Sequence, residues 1–138
     1  MAILDNDLEM SDAQAITSTD ATASTDLIDL NATGRDILTA GKLVCMVNTS
    51  FDSAADNMTL TVKLETDDDV SFGSATTLWT SATLAQATLV KGYKIFEAHL
   101  SSLEGKLERY IRFTYQCGTA AATAGKVDAY IVLDRQTA

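Results

Sequence analysis

The fold class of this 138-residue chain is decided by the stretch Met58–Glu65, which reads MTLTVKLE. Its large apolar side chains alternate strictly with Thr, Lys and Glu. Successive side chains of a β-strand point to opposite faces, so the alternation predicts a strand with one buried and one wet face. The same alternation predicts strands at Arg109–Cys117 and from Val127 to Leu133.

Outward from these segments, the rest of the chain also reads as strand and turn. Further strands are predicted at Ala13–Thr19, Asp26–Leu30, Lys42–Asn48, Ala75–Ser81 and Thr88–Ala98, with loops that include Phe51–Asn57 and Thr66–Gly73. The run LVCMV at 43–47 is apolar on both faces, as in a central or doubly covered strand. About eight strands without a convincing helix predict an all-β domain, either two antiparallel sheets packed face to face or a closed barrel.

The N-terminal residues differ from the rest in being acidic without a sustained pattern. We interpret residues 1–12 as an arm and residues 13–138 as a single β-sandwich domain. The arm carries four apolar side chains: Ile3, Leu4, Leu8 and Met10. It has neither the basic start nor the apolar stretch of a signal peptide. The longest apolar run in the chain is about five residues, far short of a bilayer span. We therefore expect a soluble protein made in the cytoplasm and no membrane partner.

Composition limits the partners further. The chain has 46% hydrophobic residues and a formal charge of −9 from 19 acidic and 10 basic residues. The hydrophobic fraction is that of a globular protein. An acidic chain without a basic patch repels phosphate backbones, so nucleic-acid binding is disfavoured.

Catalytic chemistry has little support in the residues. The one histidine, His99, lies at the end of a predicted strand, where a surface role is the expectation. Cys45 and Cys117 fall inside strand patterns and are expected to be buried thiols, with a cross-strand disulfide as the alternative. We predict that the protein is not an enzyme, with no catalytic residues and no cofactor.

Two loop features suggest binding instead. The run Asp67–Asp69 is the densest carboxylate cluster; it predicts a solvated turn, with a weak calcium site as the alternative, and we assign no metal site. Phe51 and Phe72 are aromatic residues in predicted polar loops. Each is a candidate interface anchor, with packing back onto its own sheet as the alternative.

Several segments together resemble one known family. They are, in order, SDAQAITSTDATASTDLIDL at 11–30, GKLVCMVNTSF at 41–51, MTLTVKLETDDD at 58–69, FGSATTLWTSATL at 72–84, ERYIRFTYQ at 108–116 and TAGKVDAYIVLDRQ at 123–136. In this order they are similar to the small capsid cement, or decoration, proteins of tailed bacteriophages, typified by that of the Bordetella podovirus.

The resemblance implies a jelly-roll antiparallel β-sandwich and a structural role on the virion. It implies binding to the major capsid protein on the outer surface of an icosahedral shell, where the protein stabilises contacts between capsomers. It also implies self-association as a homodimer, with a trimer as the alternative. We expect the N-terminal arm to contribute to intersubunit or shell contacts. A carbohydrate-binding β-sandwich on the virion surface is the competing interpretation, since jelly rolls often bind glycans on exposed aromatic residues.

Overall fold

The structure is a computed structural model that describes residues 8–31, 41–103 and 105–133. These residues form ten strands: β1 Glu9–Ala15, β2 Thr22–Ala23, β3 Ile28–Asp29, β4 Gly41–Asp52, β5 Thr59–Asp67, β6 Thr76–Thr80, β7 Leu84–Ala85, β8 Lys94–His99, β9 Tyr110–Gly118 and β10 Ala124–Leu133. Two short 3-10 turns lie at Gln86–Thr88 and Leu100–Leu103. The all-β prediction is confirmed.

The strands form two antiparallel sheets in the order of a jelly roll. One sheet has the order β1-β10-β4-β8 and the other β2-β9-β5-β6. The short β3 also pairs with β9, and the short β7 with β5, so each shares a position with β2 or β6. We count β2 and β3 as one strand position, and β6 and β7 as another, and number the resulting eight positions along the chain. The two sheets then have the orders 1-8-3-6 and 2-7-4-5, which is the pattern of two interlocked Greek keys. The predicted jelly-roll sandwich is therefore confirmed, and the closed barrel is not formed.

The strand that decides the fold class behaves as its alternation predicts. Met58, Leu60, Val62 and Leu64 are at most 1% exposed, whereas Lys63 is exposed on the opposite face. On the neighbouring β9, the predicted inward residues are equally buried: Ile111, Phe113, Tyr115 and Cys117. Each fully buried large apolar side chain stabilises the fold by about 1.5–3 kcal/mol, so these two strands anchor one half of the core.

The other half of the core comes from the four-stranded sheet, and three aromatic rings join the two layers. Cys45 and Val47 on β4 are fully buried. Phe96 on β8 lies with its ring centroid 4.6 Å from that of Trp79 and 5.8 Å from that of Phe113. Because β8 belongs to one sheet and β6 and β9 to the other, this ring series packs across the sandwich.

Several element boundaries differ from the sequence expectation. β4 continues to Asp52, because Thr49 and Asp52 still pair with β10, so the predicted loop Phe51–Asn57 begins two residues later. The predicted strand Thr88–Ala98 is shortened to β8, because Gly92, at a φ of +90°, lies in a turn that precedes the strand. No helix among the described residues is long and apolar enough to cross a membrane.

Candidate protein-binding surfaces

The predicted arm is in part a strand of the sandwich. Ile3 and Leu4 lie outside the described residues. Leu8 is half-buried and packs against the core, and Met10 on β1 is 0% exposed. A register shift between Glu9 and Ser11 explains this, because a β-bulge turns two consecutive side chains, Met10 and Ser11, to the same buried side. The side chain of Met10 is covered by its own chain and offers no surface to another subunit.

Polar side chains hold β1 in place. The hydroxyls of Ser11 and Tyr115 lie 2.8 Å apart in the interior. The Asp128 carboxylate accepts the backbone N–H of Ala13 at 2.7 Å and the Asn48 side-chain amide at 2.9 Å. Ala13 has a φ of +44°, a conformation that costs an L-residue energy and persists because its surroundings fix it. Burial raises the pKa of Tyr115 well above its ordinary value, so this hydroxyl is a neutral structural group.

Phe51 is a packing residue rather than an exposed loop aromatic. Its side chain is 5% exposed and lies in β4. A Cβ atom placed on Gly125 of β10 would lie 2.3 Å from the ring, so the ring packs directly against bare backbone. The ring is therefore buried within its own chain rather than exposed on a loop.

Phe72 packs back onto its own sheet, which is the alternative left open by the sequence. It is 7% exposed, and the Arg112 guanidinium lies 4.1 Å from its ring centroid. Arg112 Nε also donates to the Glu65 carboxylate at 3.0 Å. Phe72 has a φ of +53°, so its backbone is held in a left-handed conformation by this packing. The aromatic ring fixes the loop to β9.

The acidic loop after β5 is organised by its own carboxylates. Asp67 is 1% exposed, and its two carboxylate oxygens accept the N–H groups of Asp69 at 3.0 Å and Ser74 at 2.9 Å. The hydrogen bond from Asp69 is the largest cause of the lowered pKa of Asp67. Carboxylate oxygens of Asp67, Asp68 and Glu108 lie within 4.8 Å of one another, a spacing that could hold a cation. The backbone hydrogen bonds to both Asp67 oxygens make this carboxylate the framework of the turn, and we assign no metal to the cluster.

At its tip this loop exposes Val70, which is 60% exposed. Val90 is 53% exposed in the loop before β8. The loop with Val70 follows the C-terminal end of β5. Val90 lies near the other end of β5, because the backbone N–H of Gln86, four residues before Val90, donates to the carbonyl of Met58, just before β5. The two exposed valines therefore mark opposite ends of the sandwich. Single exposed apolar residues are common on proteins and do not by themselves define a site.

The two cysteines and the aromatic residues Trp79 and Phe72 are used in packing, whereas His99 is exposed, as predicted. Cys45 and Cys117 are free buried thiols, as predicted. Burial raises the pKa of Cys45 to about 12, so the Cys45 thiol is protonated at neutral pH. Trp79 is half-buried against Phe96. Phe72 is covered and Trp79 is half-buried, so neither ring is a fully exposed platform for stacking a sugar ring.

The outer faces of the two sheets differ in chemistry. The sequence pattern indicates this difference only in β4, whose run at 43–47 is apolar on both faces. The β5–β9 face is polar, and a shallow groove on it is lined in part by Thr61, Lys63, Thr114 and Gln116. The outer face of the four-stranded sheet instead carries an apolar centre. We call it the apolar face and define it by four residues: Val44, Met46, Tyr130 and Val132. Val44 is 5% exposed, and Met46, Tyr130 and Val132 are half-buried.

These features define the class of the protein as a two-sheet jelly roll with well-fixed loops and one apolar outer face. The chain belongs to the Bbp16 family, whose model matches residues 10–131. The match runs from β1 into β10 and so includes residues of every strand of the sandwich. This match is consistent with a Bordetella phage protein family, which confirms the resemblance at the level of the family. The comparison with curated proteins finds no match.

Proposed function

We propose that this protein is a structural cement protein that binds the outer surface of a tailed-phage icosahedral shell and stabilises contacts between capsomers. The observation that carries the proposal is the family match across the whole sandwich. In this proposal the partners are the major capsid protein and further copies of the chain, and the protein has no catalytic activity.

The structure supports a mechanical role in two ways. First, the loops are fixed: Asp67 orders the loop after β5, and Arg112 fixes Phe72 within it. A surface that is already ordered loses little conformational entropy on binding. Second, both thiols are buried, so neither is an exposed nucleophile.

A shell lattice makes modest contacts sufficient. When one molecule bridges two neighbouring capsomers, the second contact forms at high effective concentration, and avidity can exceed either affinity by about 10²–10⁴-fold. Each bridge then opposes separation of the capsomers under internal pressure. The acidic charge of −9 also limits non-specific binding to packaged nucleic acid.

The experiment is to add the purified full chain to phage shells from which this protein has been removed. We expect saturable binding with a fixed number of copies per shell, together with a higher temperature of shell disruption. Labelled protein should be displaced by unlabelled protein, which controls for adsorption. Binding that never saturates, or saturable binding without any gain in shell stability, would contradict the proposal.

The two ends of the sandwich can be compared in the same assay. The variants Val70→Ser and Val90→Ser each remove one exposed apolar side chain, at opposite ends, and each serves as the control for the other. A bridging molecule that uses both ends loses affinity in both variants, whereas one that lies on a single end loses it in one.

A further inference from the structure

The four edges of the two sheets are not equally protected. A sheet edge carries a row of backbone N–H and C=O groups without a neighbouring strand, and proteins normally protect such edges with charged residues, bulges, very short strands or a covering segment. The edges are β1 and β8 in one sheet, and β2 with β3 and β6 with β7 in the other. The edge formed by β6 and β7, which we call the β6–β7 edge, differs from the other three.

Each of the other three edges carries at least one of these protections. β1 has two register shifts against β10, and the Met10 carbonyl accepts the N–H of Asp26 at 2.9 Å, so the segment between β2 and β3 covers part of this edge. β8 carries Lys94 and Glu97, which form an ion pair. β2 and β3 have two residues each, and Asp29 gives β3 a charge. A further strand would therefore meet a bulge, a charge or a gap at these edges.

The β6–β7 edge is uncharged. Residues 70–90 contain no Asp, Glu, Lys, Arg or His, although 21% of the chain is charged. At that average frequency, a stretch of this length would carry about four charged residues. The stretch includes β6, β7 and the turn between them, and it exposes Thr76, Thr77 and Thr80. Threonine is a β-branched residue that favours strands, so the composition of this edge does not oppose the addition of another strand.

Hydrogen bonding shows which backbone groups of β6 face the open edge. The N–H of Ser81 donates to the carbonyl of Val62 at 2.8 Å, so residue 81 bonds towards β5. Residues of an antiparallel strand alternate between bonding towards one neighbour and towards the other side. The N–H and C=O of Thr80 therefore point away from β5. The register shift of β6 against β5 lies further along the strand, between Leu64 and Glu65, and does not disturb this position.

The side chains along the edge indicate what an added strand has to carry. Trp79 is opposite Leu64 and Leu84 is opposite Leu60, and paired residues share a face, so both side chains lie on the core side of the sheet. Both are half-buried and leave apolar surface at the edge. Thr80 is exposed on the outer side. An added strand fits if its apolar side chains, on the core side, alternate with neutral polar ones on the outer side.

The chemistry of the edge selects an extended peptide segment as its occupant. Backbone donors and acceptors in a row are matched by another extended backbone, which is how peptides add to a sheet edge. A helix cannot supply them, because its backbone groups are bonded internally. A charged segment is disfavoured, because its charges would lose hydration beside Trp79 and Leu84 without gaining a partner. The five residues of β6 span about 17 Å, enough for a short segment.

We propose that the β6–β7 edge accepts an extended, uncharged segment of the shell protein, which adds to the six-stranded sheet as a further strand. The inference rests on the proposed function, because it takes the major capsid protein as the partner. Main-chain hydrogen bonds fix the register of the segment, and its apolar side chains cover Trp79 and Leu84. The contact lies along the side of the sandwich, so it is separate from the two ends that Val70 and Val90 mark.

The variant Thr80→Pro tests the main-chain bonding. Proline is tolerated in an edge strand where the N–H faces solvent, so the bonds between β6 and β5 are kept. The variant removes one donor at the edge and leaves an acceptor of the added segment unpaired. Its binding to shells stripped of this protein should therefore weaken about tenfold. Thr80→Val is the matched control, because it keeps the backbone N–H and the branched shape, and it should bind like the wild type.

Ala15→Pro controls for the effect of a proline as such. The N–H of Ile16 donates to the carbonyl of Gly125 at 3.1 Å, so by the same alternation the N–H of Ala15 faces the outside of β1. β1 lies on the far side of the sandwich from β6, because β6 contacts β8 at the other edge of the four-stranded sheet. Ala15→Pro should leave shell binding unchanged. Urea unfolding of each variant checks that the chain is folded.

Hydrogen exchange of the wild-type chain is a second measurement that needs no variant. It is measured on the free chain and on the chain bound to stripped shells. The amide of Thr80 should exchange more slowly in the bound chain, because it donates to the added segment. The amide of Ala15 should exchange at the same rate in both.

The outcomes separate this inference from the proposed function. Equal shell binding by the wild type and Thr80→Pro, equal weakening by Thr80→Pro and Ala15→Pro, or unchanged exchange at Thr80 would overturn the inference and leave the proposed function intact. Loss of self-association by Thr80→Pro, with shell binding retained, would assign the edge to a second copy of the chain and also overturn it. A wild type that does not bind shells would refute the proposed function, and this inference with it.

Discussion

Gly125→Ala tests the packing of the sandwich where β10 meets β4. Gly125 has a φ of +142°, and an added Cβ would lie 2.3 Å from Cδ1 of the Phe51 ring. That ring is 5% exposed, so it has little room to withdraw. The substitution therefore combines backbone strain with overpacking.

The magnitude follows from the two effects. A non-glycine residue in an unfavourable left-handed conformation costs about 1–3 kcal/mol, and forcing extra atoms into a packed core costs about 1–3 kcal/mol. We expect Gly125→Ala to lower the free energy of unfolding by about 2–6 kcal/mol. Gly92→Ala is the control, because Gly92 has a φ of +90° and nothing within 4 Å of the added Cβ. Gly92→Ala should therefore lower the free energy of unfolding only by the cost of the strained backbone.

Urea unfolding followed by circular dichroism measures both variants, and a double-mutant cycle separates the effects. Phe51→Ala alone should cost about 3–5 kcal/mol, because it leaves a cavity. In that background the steric part of Gly125→Ala disappears, so the second substitution should cost about as much as Gly92→Ala. An equal cost of Gly125→Ala with and without the Phe51 ring would refute the reasoning.

Three further predictions concern the loop, the buried hydroxyl and the thiols. Asp67→Asn should lower the melting temperature at pH 6, and the difference in melting temperature from wild type should shrink as the pH falls below about 4. The reason is that a carboxylate whose pKa is lowered in the folded state stabilises the fold above its unfolded pKa and loses that contribution on protonation. A difference that stays constant with pH would contradict this. Tyr115→Phe removes the contact with Ser11 and should cost about 1–2 kcal/mol of unfolding free energy in denaturant titration, whereas no loss would mean the contact contributes nothing. Cys45 and Cys117 should not react with a thiol reagent until the chain unfolds, and rapid labelling of the folded protein would show that they are accessible.

Much of the fold could be predicted because it is encoded locally. The period of two in β5 and β9 follows from which side chains each strand must bury, and both strands were identified with their faces correct. The doubly apolar run in β4 also predicted a central strand, and β4 lies between β10 and β8. The order of strands in the sheets came from the family resemblance, because alternation within a strand carries no information about its neighbours.

The candidate surfaces were less predictable because they depend on register and on bulges. Met10 resembles an arm residue until the shift between Glu9 and Ser11 turns it inward. Phe51 and Phe72 stand among polar residues in the sequence, but Gly125 and Arg112 cover them from distant positions.

The most direct test of the account is electron cryo-microscopy of shells with and without the chain. The account predicts additional ordered density on the outer surface of the shell, at fixed positions between capsomers, into which the two-sheet jelly roll fits. Density on the inner surface, or shells that look identical with and without the protein, would contradict the proposed role.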